Sequence, residues 1–210
     1  MKPIAETEIR KALLDLLGDT KAEDSLLIEE LTLESGGARV DIALISDKLL
    51  GFEIKSDFDT LDRLSNQIHS YNRVFDEITL VAGKTFIDIA LKILPSWWGL
   101  IEASRDEMGF VNLKQVRLTK LNAQQNSQSI ASLLWKEEAI NLLKQEGQKG
   151  TPLRLNKLKL YELIAQSVSK EDVREWVTST LRSRTMWRNS ELLKPSGDLL
   201  HHVATSINYQ

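Results

Sequence analysis

The sequence predicts an α/β fold, a mixed sheet flanked by helices, with a helical module at its C-terminal end. Three observations carry this. Short apolar runs bounded by polar turns alternate with stretches of helical period through residues 1–120. The polar, uncharged run Leu121-Asn122-Ala123-Gln124-Gln125-Asn126-Ser127-Gln128 then reads as a linker over 121–128. Beyond it, residues 129–210 carry helical periodicity alone.

Ile9, Leu13, Leu16 and Leu17 recur at helical spacing, which predicts a helix over residues 6–17 stopped by Gly18. Leu26 to Glu34 reads as a strand, and Ser35-Gly36-Gly37 turns the chain. Arg39 to Ile45 and Leu49 to Lys55 are two more strands, joined as a hairpin by Ser46-Asp47-Lys48. Asp59 is placed to cap the next helix, whose apolar face is Leu61, Leu64, Ile68, Tyr71 and Phe75. Ile78 to Ala82 is a fourth strand, ended by Gly83, and a helix over 85–93 ends before Pro95. Trp97 to Ala103 and Phe110 to Val116 are further strands. Strands on both sides of a crossover helix require a mixed sheet. After the linker, helices are expected from Ile130 to near Gly147, then Leu155 to Ser167, Lys170 to Arg184 and Glu191 to Ile207.

The 210 residues, 42% hydrophobic and 27% charged, have the balance of a water-soluble globular chain. That length buries a sizeable core without disulfides. With no cysteine, thiolate metal sites and a cysteine nucleophile are excluded. His69, His201 and His202 are too scattered for a histidine cluster, so a bound metal would take carboxylate and carbonyl oxygens, which favours Mg²⁺ or Mn²⁺. No apolar run approaches the ~20 residues of a membrane-spanning helix. Met1 to Glu6 has no signal-peptide pattern, and the expectation is a cytoplasmic protein of bacterial type with no membrane contact. The net charge is −3, unevenly spread: residues 1–128 hold 15 Lys/Arg against 21 Asp/Glu, and residues 129–210 hold 12 against 9. The acidic part suits a carboxylate metal site. The basic part could approach phosphates, although a solvated helix surface accounts for the same excess.

The informative stretch is Val40-Asp41-Ile42-Ala43 followed by Phe52-Glu53-Ile54-Lys55. An E-x-K tripeptide alone is weak, since roughly one chance copy is expected in a chain this size; Asp19-Thr20-Lys21 is such a decoy, with no strand around it. Position separates the two. A hairpin turning about Asp47 sets Asp41 opposite Glu53, with Cβ atoms ~5 Å apart, and alternation puts Lys55 on the same face. Leu50, Phe52 and Ile54 then point the other way, with Val40, Ile42 and Leu44. Two carboxylates that close repel unless a cation lies between them. A cross-strand salt bridge of Lys55 is the structural alternative, against which the strands are apolar enough to be central, where unpaired charge is costly.

At these residues the chain resembles the PD-(D/E)XK nuclease superfamily. Asp41 and Glu53-Ile54-Lys55 stand where that superfamily has its motif, and Gln67-Ile68-His69-Ser70-Tyr71 is similar to the Q-x-x-x-Y element of its RecB-like branch. The chain also resembles a family of uncharacterised bacterial proteins. That likeness runs through Glu8-Ile9-Arg10, Arg39-Val40-Asp41, Glu53 to Asp57, Asp59-Thr60-Leu61, Gln67 to Tyr71, Trp97-Trp98-Gly99 and Trp135 to Ala139. Val40 replaces the proline of the superfamily name, and the upstream histidine of many RecB-like nucleases is missing, with Glu8 in its region. The resemblance implies a restriction-endonuclease-like core. In it Asp41, Glu53 and the Ile54 carbonyl would hold Mg²⁺ or Mn²⁺, and Lys55 would orient the attacking water. A bound divalent ion lowers the pKa of its water and offsets charge at the phosphate.

Gln67 and Tyr71 lie one helical turn apart, placed to brace Lys55 or touch a nucleic-acid backbone; Tyr71 also falls on the apolar stripe and suits the core. Glu8 and Glu30 are candidate extra carboxylates or plain surface residues. Trp97-Trp98 reads as packing after Pro95. In the tail, Arg182, Arg184 and Arg188 lie with Arg174 among Trp176 and Trp187, a mixture that binds phosphates and stacks bases, or forms the charged face of a small bundle. The expected function is therefore metal-dependent hydrolysis of phosphodiester bonds, in DNA, with Asp41, Glu53 and Lys55 catalytic. The alternative is a catalytically inactive nucleic-acid-binding or adaptor protein that keeps the nuclease fold. A third reading, an interaction protein with no nucleic-acid role, requires the hairpin charges to be salt bridges.

Overall fold

The computed structural model describes residues 2–20, 24–33, 36–148 and 154–184. Helix α1 (Glu6–Thr20) precedes strands β1 (Leu26–Leu33), β2 (Ala38–Ile45) and β3 (Leu49–Lys55). Helix α2 (Leu64–Asn72), strand β4 (Glu77–Gly83) and helix α3 (Ile87–Ile93) follow, then β5 (Gly99–Arg105) and β6 (Val111–Arg117). Helices α4 (Ser127–Ala131), α5 (Lys136–Gln145), α6 (Lys157–Ser167) and α7 (Lys170–Ser183) complete the order. The strands form one six-stranded sheet in sequence order. β3–β4 and β4–β5 are parallel and the other neighbours antiparallel, so the sheet is mixed and helix-flanked as the sequence predicts.

Each sheet face has its own core. Ile9, Leu13 and Leu17 of α1 cover one face through Leu27, Ile42, Leu44, Phe52, Ile54, Val81 and Ile101. On the other face α2 and α7 pack on β2, α4 to α6 pack on one another and on α7, and one continuous apolar cluster runs from Ile45, Leu49, Ile78 and Leu80 to Leu143, Ile164, Val177 and Leu181. Gly51 permits this packing: a Cβ there would lie 2.3 Å from Ile78 Cδ1 and 3.2 Å from the Phe75 ring.

Several expectations are corrected in detail. α1 runs through Gly18 to Thr20, because Gly18 does not take the left-handed backbone that would end the helix there. Asp59 does not cap α2; its carboxylate accepts from the Ser56 amide at 2.8 Å and hydroxyl at 2.6 Å, and the helix starts at Leu64. The helix expected from Ile130 to Gly147 is two helices broken at Ser132–Trp135. Residues 121–128 are tied down: buried Asn122 donates to Asn72 O and Phe75 O, Gln125 donates to Val74 O, and Asn126 caps α4. The helix expected over Glu191 to Ile207, with Trp187 and Arg188, lies outside the described residues.

The β1–β2 ribbon carries the correction that matters most for the site. Its register runs from Glu29–Ile42 to Leu31–Val40 and skips the Glu30–Asp41 pair, where Glu30 has φ +58°. A left-handed backbone at a non-glycine residue is uncommon and twists the strand locally. The alternation loses a step on both strands: Leu26 and Ile28 share a cluster with Leu31 and Leu33, and Ala43 and Ile45 share it with Val40. Val40 therefore lies on the opposite face from Ile42 and Leu44, contrary to the alternation read from sequence.

Candidate functional site

The β2–β3 register pairs Ile42 with Phe52 and Ile45 with Leu49, as a hairpin turning about Asp47 requires, and the ladder stops at Ile42. Beyond it Asp41 caps the neighbouring strand: its Oδ2 accepts the Ile54 amide at 2.7 Å. Its Oδ1 turns toward α1 and meets Arg10 Nη2 at 3.3 Å, while Arg10 Nη1 donates to the Asp41 carbonyl at 3.1 Å.

Arg10 is the hub of this side. Its guanidinium also meets Glu6 at 2.5 Å, Glu30 at 3.0 Å and Glu29 at 3.4 Å. Glu30 is further held by Arg39 at 2.5 Å. Among the described residues, Glu6, Glu30 and Asp41 bring ligand oxygens within 4.8 Å of one another, and Glu53 is not in that group. The Asp41 carboxyl is pushed up to about 7, first by burial and then by the charge of Glu53, against the Ile54 hydrogen bond and the charges of Arg10 and Lys55.

Glu53 heads a second network, under α2. Its Oε1 accepts from Lys55 Nζ and Gln67 Nε2, each at 2.5 Å, and its Oε2 lies 2.7 Å from the Tyr71 hydroxyl. Glu53 is 1% exposed and Lys55 7%. Oε1 thus has two protein donors, and Oε2 shares the one Tyr71 hydroxyl proton with Arg39 O, in a setting nearly closed to water. Tyr71 is fully buried between Phe75 and Trp98, and its hydroxyl also lies 2.6 Å from Arg39 O. Tyr71 is a core residue, and its hydroxyl and the Gln67 amide reach Glu53 rather than Lys55, which they were expected to brace. Burial raises its hydroxyl pKa, and the adjacent Glu53 charge adds to that.

The structure thus brings Glu53, Lys55, Gln67 and Tyr71 together, with Asp41 at their edge facing α1. It does not bring in Glu8, whose carboxylate accepts from the Ala5 amide at 3.0 Å and pairs with Arg105 of β5 at 2.8 Å. Those contacts, the Ala5 hydrogen bond first, lower its pKa. Trp98 is packing, fully buried, with its indole donating to Asn72 at 2.9 Å. Two tail arginines are engaged within the fold: Arg182 pairs with Asp24 at 2.7 Å, and Arg184 pairs with Glu138 at 2.6 Å. Sequence reading passed over Arg10 and Glu6, although their i, i+4 spacing on a helix was a legible sign of an ion pair. It also passed over Asp76, 2% exposed, which joins Leu49 N at 2.8 Å to Arg174 at 3.1 Å across elements far apart in sequence.

Comparison with known proteins places these networks in a different family from the one expected. The profile of the family described as Bacteriophage P4 protein cII matches residues 1–203. Protein cII of Enterobacteria phage P4 is 28% identical over 183 residues, covering 86% of this chain and 68% of its own. A solved structure, the SPO1766 protein of unknown function from Silicibacter pomeroyi, aligns over 71% of this chain and 97% of its own at 17% identity and a TM-score of 0.40. The family match overturns the expectations of a RecB-like nuclease, of a family of uncharacterised bacterial proteins, and of phosphodiester hydrolysis. With a profile match over nearly its whole length, the chain belongs to the bacteriophage P4 protein cII family.

Proposed function

We propose that this chain is a non-enzymatic nucleic-acid-binding protein, with DNA as its partner, on a core of the restriction-endonuclease-like kind. The observation that carries the non-enzymatic part is the closed network on Glu53. Lys55 and Gln67 engage its Oε1 and the Tyr71 hydroxyl its Oε2 in a buried setting, the arrangement of a structural ion pair. The nucleic-acid part draws on the basic excess of residues 129–210, 12 Lys/Arg against 9 Asp/Glu, and on Lys144, Arg154 and Lys157 at the surface.

The test is fluorescence anisotropy with labelled single- and double-stranded oligonucleotides across a salt series, with the strands run on a denaturing gel after incubation with Mg²⁺. The expected result is binding that weakens linearly in log salt and leaves the strands intact. Absence of salt-sensitive binding moves the assignment to a protein adaptor. Cleavage that disappears in Glu53→Ala overturns the non-enzymatic reading.

A divalent cation, Mg²⁺ or Mn²⁺, is a second proposal, resting on the hard oxygen donors of Glu6, Glu30 and Asp41. The set implied by resemblance, Asp41, Glu53 and the Ile54 carbonyl, fits less well, because both Glu53 oxygens already accept from the protein. Bound at Glu6, Glu30 and Asp41, the ion would act structurally and compete with Arg10, whose guanidinium already contacts these carboxylates. In calorimetry with Mn²⁺, Asp41→Asn should weaken binding and Arg10→Met should strengthen it. Equal affinity of wild type and Asp41→Asn would remove the proposal.

A further inference from the structure

A cleft of about 460 Å³ opens between α5 and α7, lined by Trp135, Glu138, Asn141, Trp176, Thr180 and Arg184, with Ser183 at its rim. It lies far in sequence from the networks of the hairpin. Trp135 is 49% exposed, unusual for so large an apolar side chain. It is nevertheless held in place. The Arg184 guanidinium carbon sits 4.4 Å from its ring centroid. That guanidinium is fixed in turn by Glu138 at 2.9 and 2.6 Å and by Leu133 O at 2.7 Å. The Trp135 amide donates to Glu138 Oε2 at 2.6 Å, which anchors the backbone beneath the indole.

A ring held against a cation, half-exposed and lining a cleft, is a preorganised surface, since its rotamer entropy is already lost before a ligand arrives. The lining selects the ligand's chemistry. Arg184 and Glu138 cancel each other's charge, so the cleft holds no net cation for a buried phosphate. Two indoles favour a flat π system; the Asn141 amide and Thr180 hydroxyl offer donors and acceptors to its edge, and Ser183 Oγ, which donates to Thr180 O at 2.9 Å, offers an acceptor. The volume falls in the range of small-ligand sites and accommodates a base with its sugar. Lys144 is exposed one turn beyond Asn141 on α5, where it can meet a backbone phosphate outside the cleft.

We propose that the α5–α7 cleft receives an unpaired nucleobase stacked on Trp135. The proposal rests on the nucleic-acid-binding reading and adds to it the strand state and the residue that recognises it. Bases inside a duplex are already stacked on each other, so this platform discriminates for single strands, and stacking is tolerant of base identity.

The full chain is titrated into a fluorescein-labelled oligothymidylate of about 12 nucleotides, a length within the span that stacking platforms cover. An abasic strand and a duplex of equal length are run beside it, and Trp135→Ala, Trp135→Phe and wild type are compared by anisotropy. Trp135→Ala should lose about 5- to 150-fold in affinity for the oligothymidylate, the range for removing one stacked base. Trp135→Phe should keep most of the affinity. The duplex and abasic strand should bind wild type and Trp135→Ala within about twofold of each other, with an unchanged salt slope. Circular dichroism of Trp135→Ala should match wild type, because the anchoring hydrogen bond is from the backbone. If oligothymidylate binds and Trp135→Ala leaves its affinity unchanged, or if the abasic strand binds as well as the oligothymidylate, the cleft is not a base site and the broader reading stands. If no strand binds at all, both fall.

Discussion

The carboxyl of Asp41, pushed up to about 7 by burial and by Glu53, sits between the two networks of the hairpin. A carboxyl whose folded pKa lies above its ordinary value of 3.8 binds its proton more tightly in the native state. Its contribution to stability is fully present below the unfolded value and is lost as pH rises through about 7. Asp41→Asn removes the charge and keeps an acceptor for the Ile54 amide. With EDTA present, it should therefore raise Tm relative to wild type at pH 8 by a few degrees, with the gap narrowing at pH 5. A gap that widens on acidification would show that the Arg10 contact dominates instead. Tyr71→Phe tests the other network. It leaves a buried Glu53 oxygen without its donor and should cost about 1–3 kcal/mol in urea unfolding. Asp41, Glu53 and Lys55 were legible as a group from the hairpin register and strand alternation, and Gln67 with Tyr71 as one helix face; that this face meets Glu53 was implied only by the family resemblance, not by either period. That Asp41 turns to Arg10 was not legible, since it depends on a single left-handed residue, Glu30, that no period encodes.

At the scale of elements, Asp76 links three of them: its carboxylate accepts from Leu49 at the start of β3 and from Arg174 of α7, and its carbonyl accepts from Asn122. Asp76→Ala strands a buried amide and a guanidinium, and should cost about 2–4 kcal/mol. Arg174 is 37% exposed at its side chain, so Arg174→Ala should cost only about 1 kcal/mol. Hydrogen exchange at the Leu49 amide separates the two: it should accelerate strongly in Asp76→Ala and little in Arg174→Ala, and equal acceleration would mean that the α7 contact is what protects β3. The strands were read from sequence within about two residues because alternating burial writes itself into composition. The break between α4 and α5 was not, because Ser132 to Trp135 contains no proline or glycine; it comes from Asn126 capping one helix and Glu138 closing the start of the next.

For the whole molecule, the apolar cluster decides how the chain should unfold. Leu80 and Ala82 of the sheet share it with Leu134 and Ala139 before α6, and with Val173 and Val177 of α7. Asn122 and Gln125 are tied to the segment that follows α2, so the 121–128 stretch couples the sheet to the helices that follow it. The sequence marked this stretch by its polar, uncharged composition, which is shared by tethers and by segments that satisfy backbone carbonyls of their neighbours. Only the partners distinguish the two, and partners some fifty positions away leave no local trace. A core continuous through both halves makes separate melting costly, because losing either half exposes apolar surface of the other. Calorimetry should accordingly show one transition whose van't Hoff and calorimetric enthalpies agree. A fragment of residues 1–128 should lack that transition, since the sheet face under α4 to α7 would meet water. Two resolved transitions, or a cooperatively melting fragment, would show that the helices dock on a core that folds without them.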